Sequence, residues 1–220
     1  MMAETVRRLQ SVLELPLQLD STDAAALEAG LRVYSGKPVV NSVNGEEKSL
    51  RTVLPLVKKY GAAVVGLTLD GTGIPLKAEE RFAVAERILN AALEAGIRRE
   101  DVYIDCLTLT ASVQQAEVAE TLKALRMVRE RLGLKTVLGV PNISFGLPNR
   151  ELINRSFLLL AMYSGLDLPI LNPNVSSMMA AIDAYNVLLN HDRGALQFIA
   201  KHSAAVPAAA PVAPAVEDPA

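Results

Sequence analysis

The sequence predicts an α/β fold built on a parallel sheet. Three observations carry that expectation. Six short runs of aliphatic and β-branched residues recur along the chain, each suited to a strand covered on both faces. Helical patterns separate the runs, and most of them close on a glycine. Strand and helix therefore alternate six times, the layout that sets parallel strands side by side under covering helices.

The elements follow in order. Met2 to Leu13 reads as the end of a helix feeding the first strand, "LPLQL" (15–19). Thr22-Asp23 can cap a helix running to Tyr34, with Gly36 beyond it. The second strand is "KPVVN" (37–41), and the helix Glu46 to Tyr60 ends at Gly61. The third strand, "AAVVGLTL" (62–69), leads into "DGTGIP" (70–75). That segment has two glycines but a proline where a helix should start, so it is expected to be a long loop. Ala78 to Ala95 is a helix stopped by Gly96. "DVYID" (101–105) precedes a helix from Val113 to Leu132, closed by Gly133. "KTVLGV" (135–140) precedes one from Asn149 to Ser164, closed by Gly165. "LPILN" (168–172) is the last strand and Val175 to Leu189 the last helix.

Two architectures compete for this order. An open doubly wound sheet usually carries a phosphate loop after its first strand, yet no Gly-x-Gly-x-x-Gly follows a strand and there is no Walker sequence. A (β/α)₈ barrel of TIM type needs eight units, and six are counted. The deficit falls at the N-terminus, where about two units would be missing.

Composition narrows the function classes. The chain has 220 residues, 50% of them hydrophobic, enough for one ordinary core or one domain with a tail. A net charge of -2 supplies no basic field for nucleic acid or an anionic membrane. The single cysteine, Cys106, excludes a disulfide framework and a multi-cysteine metal site, and suits a reducing cytoplasm. No apolar run is long enough to span a bilayer, and the N-terminus lacks the pattern of a signal peptide. Residues 1–200 read as one domain. Residues 201–220, with the run "SAAVPAAAPVAPAVEDPA", read as an Ala/Pro-rich linker, since proline interrupts helices and alanine buries little. A linker with nothing after it suggests a chain cut from a longer protein.

Five of the six strands finish in Asp or Asn: Asp20, Asn41, Asp105, Asn142 and Asn172. Each alone is ordinary turn chemistry. Recurring at the same end of successive strands, they would converge on one mouth of a barrel, where such folds keep their reactive groups. Two carboxylates and several amides suit a neutral heterocycle with N–H donors. They suit a pyrophosphate poorly, because cations are missing at most of these positions.

The segments "LPLQLDSTDAAALEAGL", "KPVVNSVNGEE", "GAAVVGLTLDGTGIP", "DVYIDCLTLT" and "KTVLGVPNISFGLPNRELINRSFLLLAMYSGLDLPILNP" together resemble the pterin-binding domain of corrinoid methyltransferases. That family includes the folate module of cobalamin-dependent methionine synthase and the methyltetrahydrofolate–corrinoid methyltransferases. The likeness runs from about Leu15 to Asn190, and the Asn-x-Ser block with "NRELINRSFL" is its most specific part. The resemblance implies a (β/α)₈ barrel, of which this chain holds about six units. It also implies an N-terminal truncation, since the family's early "ERIN"-like segment and second-strand Asp-x-Asn have no counterpart here.

Carried over by position, the resemblance implies that Asp20, Asn41 and Asp105 hold the pterin ring. A carboxylate can accept from N3–H and the 2-amino group in parallel. Asn142 would lie near N5, the nitrogen that bears the methyl group, and would be both a binding and a catalytic residue. The implied substrate is 5-methyltetrahydrofolate. The implied acceptor is a cob(I)alamin on a separate corrinoid domain or partner protein, reached through the Ala/Pro tail or supplied in trans. No nucleic acid or membrane is implied, and no metal is bound by the chain itself. A sheet lacking two units exposes two strand edges, so 1–220 alone is expected to be poorly folded or oligomeric, a homodimer included.

The nearest rival is dihydropteroate synthase, which shares the barrel and pterin pocket. Its Ser-Arg-Lys-type block, Arg-x-His and Asp-Pro-Gly are replaced here by "PNISFG", "ILNPN" and "DCLTL". A non-catalytic folate-binding fragment is the rival from another class. Of the remaining residues, His191 and His202 are expected to be helix-end histidines without a catalytic part. Cys106 is expected to be a packing residue. Ser144 is expected to be a loop hydrogen-bonder. Arg150 and Arg155 could touch the glutamate tail of folate or solvate a helix face, and the second is expected.

Overall fold

The structure is a computed structural model and describes residues 1–203. The chain divides into two compact units, Met1–Asn172 and Pro173–Ala220.

The first unit is a parallel sheet whose strands lie side by side in chain order. They are β1 (Gln18–Asp20), β2 (Val39–Asn44), β3 (Ala63–Leu67), β4 (Val102–Asp105), β5 (Lys135–Gly139) and β6 (Leu168–Ile170). Each adjacent pair is parallel. This order decides between the two architectures. A doubly wound sheet reverses its strand order at a switch point, whereas a barrel adds each strand to the same growing edge. The first unit supplies six successive strands of a (β/α)₈-type barrel, with a helix after each of the first five. Within the described residues β1 and β6 each pair on one side only.

The helices are α1 (Met2–Gln10), α2 (Ala24–Leu31), α3 (Glu47–Tyr60), α4 (Ala78–Glu94), α5 (Glu117–Met127) and α6 (Arg150–Tyr163). α3 shows why they pack as they do: Leu50, Val53, Leu54 and Val57 fall on one face at helical spacing and are buried. Val40, Val64, Ile104 and Leu138, on four successive strands, have no exposed surface. Gly66 lets α4 approach β3, because a Cβ there would lie 2.7 Å from Ile88 Cγ2. The glycines expected to close helices all have positive φ, with Gly61 and Gly133 directly at helix ends at 64° and 65°.

Some boundaries differ from the sequence reading. The first strand begins at Gln18 because Leu15 is 70% exposed and Pro16 cannot donate to a ladder. α1 stops at Gln10 rather than Leu13. α5 starts at Glu117 rather than Val113, since the preceding residues are committed elsewhere: Ala111 N–H donates to the Ile143 carbonyl at 2.9 Å. It then runs into a π turn, Val128–Leu132.

The second unit contains α7 (Ser176–Leu188) and α8 (Leu196–His202). The sequence reading ended its helices at Leu189, so α8 is a correction. Its signal was Asp192, whose carboxylate accepts from Gln197 N–H at 3.2 Å and Phe198 N–H at 2.9 Å. Asp183 on α7 accepts from Lys201 Nζ at 2.7 Å and lies 3.2 Å from His202 Nε2, tying α8 to α7. Lys201 and His202, read as the start of the linker, are thus helical. The rest of that linker, 204–220, lies outside the described residues. Among the described residues no helix is long and apolar enough to cross a membrane.

Candidate functional site

A cleft of about 540 Å³ opens at the C-terminal ends of the strands. Asn41 from β2, Asp105 from β4, Asn142 from the 3₁₀ turn after β5 (Val140–Ser144) and Asn172 just beyond β6 all line it. Its apolar walls are Ile74, Leu107, Pro141, Ile170 and Leu171. No Lys or Arg lines it among the described residues. Asp20, at the end of β1, lies one step away: Asn41 Nδ2 donates to Asp20 Oδ2 at 3.0 Å. Asp20 and Asn41 also line an adjoining cavity of about 320 Å³. Three of the four sequence-derived site residues therefore share one cleft, and the fourth is hydrogen-bonded to it.

β2 delivers Asn41 through an irregularity. Its register with β3 shifts between Asn41 and Val43, and the Asn41–Ser42 peptide is cis. β4 delivers Asp105 differently. The strand is buried, and Asp105 keeps only 8% of its surface. That burial pushes its carboxyl up to about 7, with the Leu107 N–H, donating to Oδ1 at 2.7 Å, pulling the other way. The group is thus poised to exchange a proton near neutrality. Cys106 beside it is fully buried, and the same desolvation holds its thiol protonated, well above the ordinary range. It packs, as expected.

The turn carrying Asn142 is held from several directions. Thr110 Oγ1 donates to the Asn142 carbonyl at 3.3 Å, and Ser112 Oγ to the Phe145 carbonyl at 2.7 Å. Ser144 donates to the Pro141 carbonyl at 3.3 Å, the loop hydrogen-bonder expected. Arg150 does not merely solvate a helix face. Its Nε donates to Ser144 Oγ at 3.0 Å, Nη2 to the Pro141 carbonyl at 3.1 Å, and its guanidinium sits 4.5 Å from the Phe145 ring centre. The chain turns at Asn149, with φ of 46°, just before Arg150 opens α6 next to this turn. Arg155 is exposed, as expected. Gly139 lies under the amide of Asn142: a Cβ there would be 2.9 Å from Nδ2.

Thr108 and Ile74 are among the lining residues that escaped the sequence reading. Thr108 places its buried Oγ1 without a partner among the described residues, a polar atom left for a ligand or water. Ile74 belongs to the segment read as a long loop, with no part in a site. That segment is a loop, closed by paired backbone bonds between Asp70 and Gly73, and it walls the cleft. His191 and His202 lie in the second unit, His191 edge-on to Tyr185 and His202 beside Phe198.

A carboxylate, several amides and apolar walls can grip a planar heterocycle by its donor edge. The family model described as pterin binding enzyme matches residues 1–172. Methionine synthase of Mycobacterium leprae (strain TN) is 40% identical over 173 residues, covering 73% of this chain and 14% of that protein. The chain thus spans a small part of that relative's length. Methylcorrinoid:tetrahydrofolate methyltransferase of Eubacterium limosum is 30% identical over 188 residues, covering 84% of this chain and 69% of that one. Among solved structures, Yersinia pestis dihydropteroate synthase superposes with a TM-score of 0.66 at 13% identity, over 86% of this chain and 78% of that chain. The Xanthomonas albilineans dihydropteroate synthase gives 0.65 at 18% identity, over 85% and 70%. At these identities the likeness to both synthases is one of fold.

Proposed function

The chain belongs to the pterin binding enzyme family, and from that premise we propose that it binds 5-methyltetrahydrofolate and transfers the N5 methyl group to a cobalamin held by a corrinoid domain or partner. The observation that carries this reading is the convergence of Asp105, Asn41 and Asn142 on a cleft lined, among the described residues, by no cation. The reaction of a pyrophosphate ester would call for cations there. The names of the Mycobacterium and Eubacterium relatives support methyl transfer over pteroate synthesis.

In this reading ionised Asp105 accepts from the pterin N3–H and 2-amino group, a two-bond match to a guanidine-like edge. Asp20 orients Asn41 by the bond between them, and Asn41 offers its amide to the ring. Asn142 stands at N5. When the methyl group leaves, its electron pair stays on N5, which is a poor leaving group unless protonated. The amide of Asn142 cannot be the acid. Its carbonyl accepts a hydrogen bond from protonated N5 and so favours the charged form. The proton reaches N5 through water. The cobalamin supplies the nucleophilic cobalt that takes the methyl group. A reducing cytoplasm is the compartment we propose, in keeping with the lone buried cysteine.

The test pairs two assays on the 220-residue chain. Calorimetric titration with 5-methyltetrahydrofolate should show binding, and a corrinoid protein in the cob(I)alamin state should be methylated in its presence. Incubation with hydroxymethylpterin pyrophosphate and p-aminobenzoate should yield no pteroate. Pteroate formed at an enzyme-like rate, or no folate binding, overturns the proposal.

A further inference from the structure

α4 carries an arginine inside the protein. Arg81 has no exposed surface. Its hydrogen bonds go to carbonyls and a hydroxyl rather than to a carboxylate. Nε donates to the Pro75 carbonyl at 2.8 Å; Nη1 reaches the Cys106 carbonyl at 3.0 Å, the Leu107 carbonyl at 3.2 Å and Thr121 Oγ1 at 2.6 Å. Nη2 is buried without a partner among the described residues. A methionine would fill similar space without desolvating a charge, so packing does not account for this residue. What a guanidinium does that a methionine cannot is hold several chain segments at once.

Two of those segments wall the cleft. Pro75 follows Ile74, and Cys106 and Leu107 follow Asp105. Leu107 sits at φ of 61°, a region a branched side chain avoids unless its surroundings over-determine it. Both carbonyls flanking that residue's N–H, of Cys106 and of Leu107 itself, are taken by Arg81. The N–H between them is the donor to Asp105 Oδ1. Thr121 supports the same point, its hydroxyl lying 3.3 Å from the Leu107 carbonyl.

We propose that Arg81 is a positioning residue for the cleft: it locks the Cys106–Leu107 backbone so that the Leu107 N–H fixes the orientation of the Asp105 carboxylate toward the ligand, while holding the Ile74 wall through Pro75. The role in recognition rests on the reading of the cleft as a pterin site. The locking of Leu107 does not.

The experiment uses the whole 220-residue chain with Arg81→Met, Arg81→Lys and Thr121→Val. Amide hydrogen exchange is followed by NMR at Leu107, with Val64 and Ile104 as core references. Affinity for 5-methyltetrahydrofolate is measured by calorimetry. Arg81→Met should speed exchange at Leu107 at least about tenfold relative to the references and weaken binding about 10- to 100-fold, the scale on which residues behind a first ligand shell act. Arg81→Lys, which can keep one carbonyl contact, should recover part of both effects. Thr121→Val keeps the guanidinium and should speed Leu107 exchange and weaken binding, each by a smaller factor. If Arg81→Met does not fold, the lysine and Thr121 variants carry the same comparison. Leu107 exchange that rises only in step with Val64 and Ile104 overturns the proposal, and so does unchanged affinity in a variant whose Leu107 is released. A wild-type chain that ignores 5-methyltetrahydrofolate overturns the pterin reading and the recognition role with it, while Leu107 exchange still decides whether Arg81 locks the backbone.

Discussion

Binding at this cleft should depend on pH through one carboxyl. Burial holds Asp105 at about 7 in the free chain. A pterin edge presents two N–H donors, so it selects the carboxylate and expels the proton. At pH 7 about half of the free chain is ionised and at pH 5 about 1%, so affinity should fall about 50-fold between them. At pH 6 about nine-tenths of a proton should leave per ligand bound. Calorimetry in buffers of different ionisation enthalpy reads that proton directly. Asp105→Asn should bind more weakly throughout and lose this pH dependence, because an amide cannot accept two bonds without turning its own N–H₂ toward a donor. The same group sets a slope in stability. Its folded pKa lies above its unfolded one, so its contribution is fully present below about pH 4 and is lost as pH rises through about 7, a ceiling of roughly 4 kcal/mol. Urea unfolding of wild type and Asp105→Asn across that window should diverge accordingly. Affinity that stays flat from pH 5 to 7, or binding at pH 6 without proton release, refutes the reasoning.

Other substitutions separate recognition, chemistry and packing. Asn142→Ala should slow single-turnover methyl transfer about 10²- to 10³-fold, by analogy with other preorganised polar groups, while costing binding only about 1–3 kcal/mol; a loss confined to binding would make Asn142 a positioning residue only. Gly139→Ala has an ordinary φ of -73° but sets a Cβ 2.9 Å from Asn142 Nδ2. It should slow transfer about tenfold, since small misplacements of reacting groups are costly, and leave the melting temperature unchanged in a thermal scan. Gly66→Ala meets Ile88 Cγ2 at 2.7 Å and Ile104 Cδ1 at 3.3 Å. It should destabilise the chain by about 1–3 kcal/mol in urea unfolding, through overpacking between β3 and α4.

Much of the fold was legible because its signals are local. A buried parallel strand such as Ala63–Leu67 is a run of apolar residues, and a helix such as α3 writes its buried face at three- and four-residue spacing. A closing glycine such as Gly133 answers to the φ of its own residue. The clustering of Asp and Asn at strand ends was equally visible, since a parallel sheet sends the C-terminal ends of its strands to one side.

Tertiary structure alone decided what depends on neighbours distant in sequence. Strand order was one such matter: two architectures share the same alternation, and only the pairing of each strand with the next separates them. Arg150 and Arg81 look alike in the sequence, each a cation near the start of a helical pattern. One is held 4.5 Å from Phe145 and the other is buried against carbonyls 25 and 26 residues away. α8 depended on a cap from Asp192 and a tie from Lys201 to Asp183. Asp105 is the clearest case. Its position at a strand end was written in the chain, but its proton affinity was not, because desolvation is set by everything packed around a group and periodicity records only which way a side chain faces.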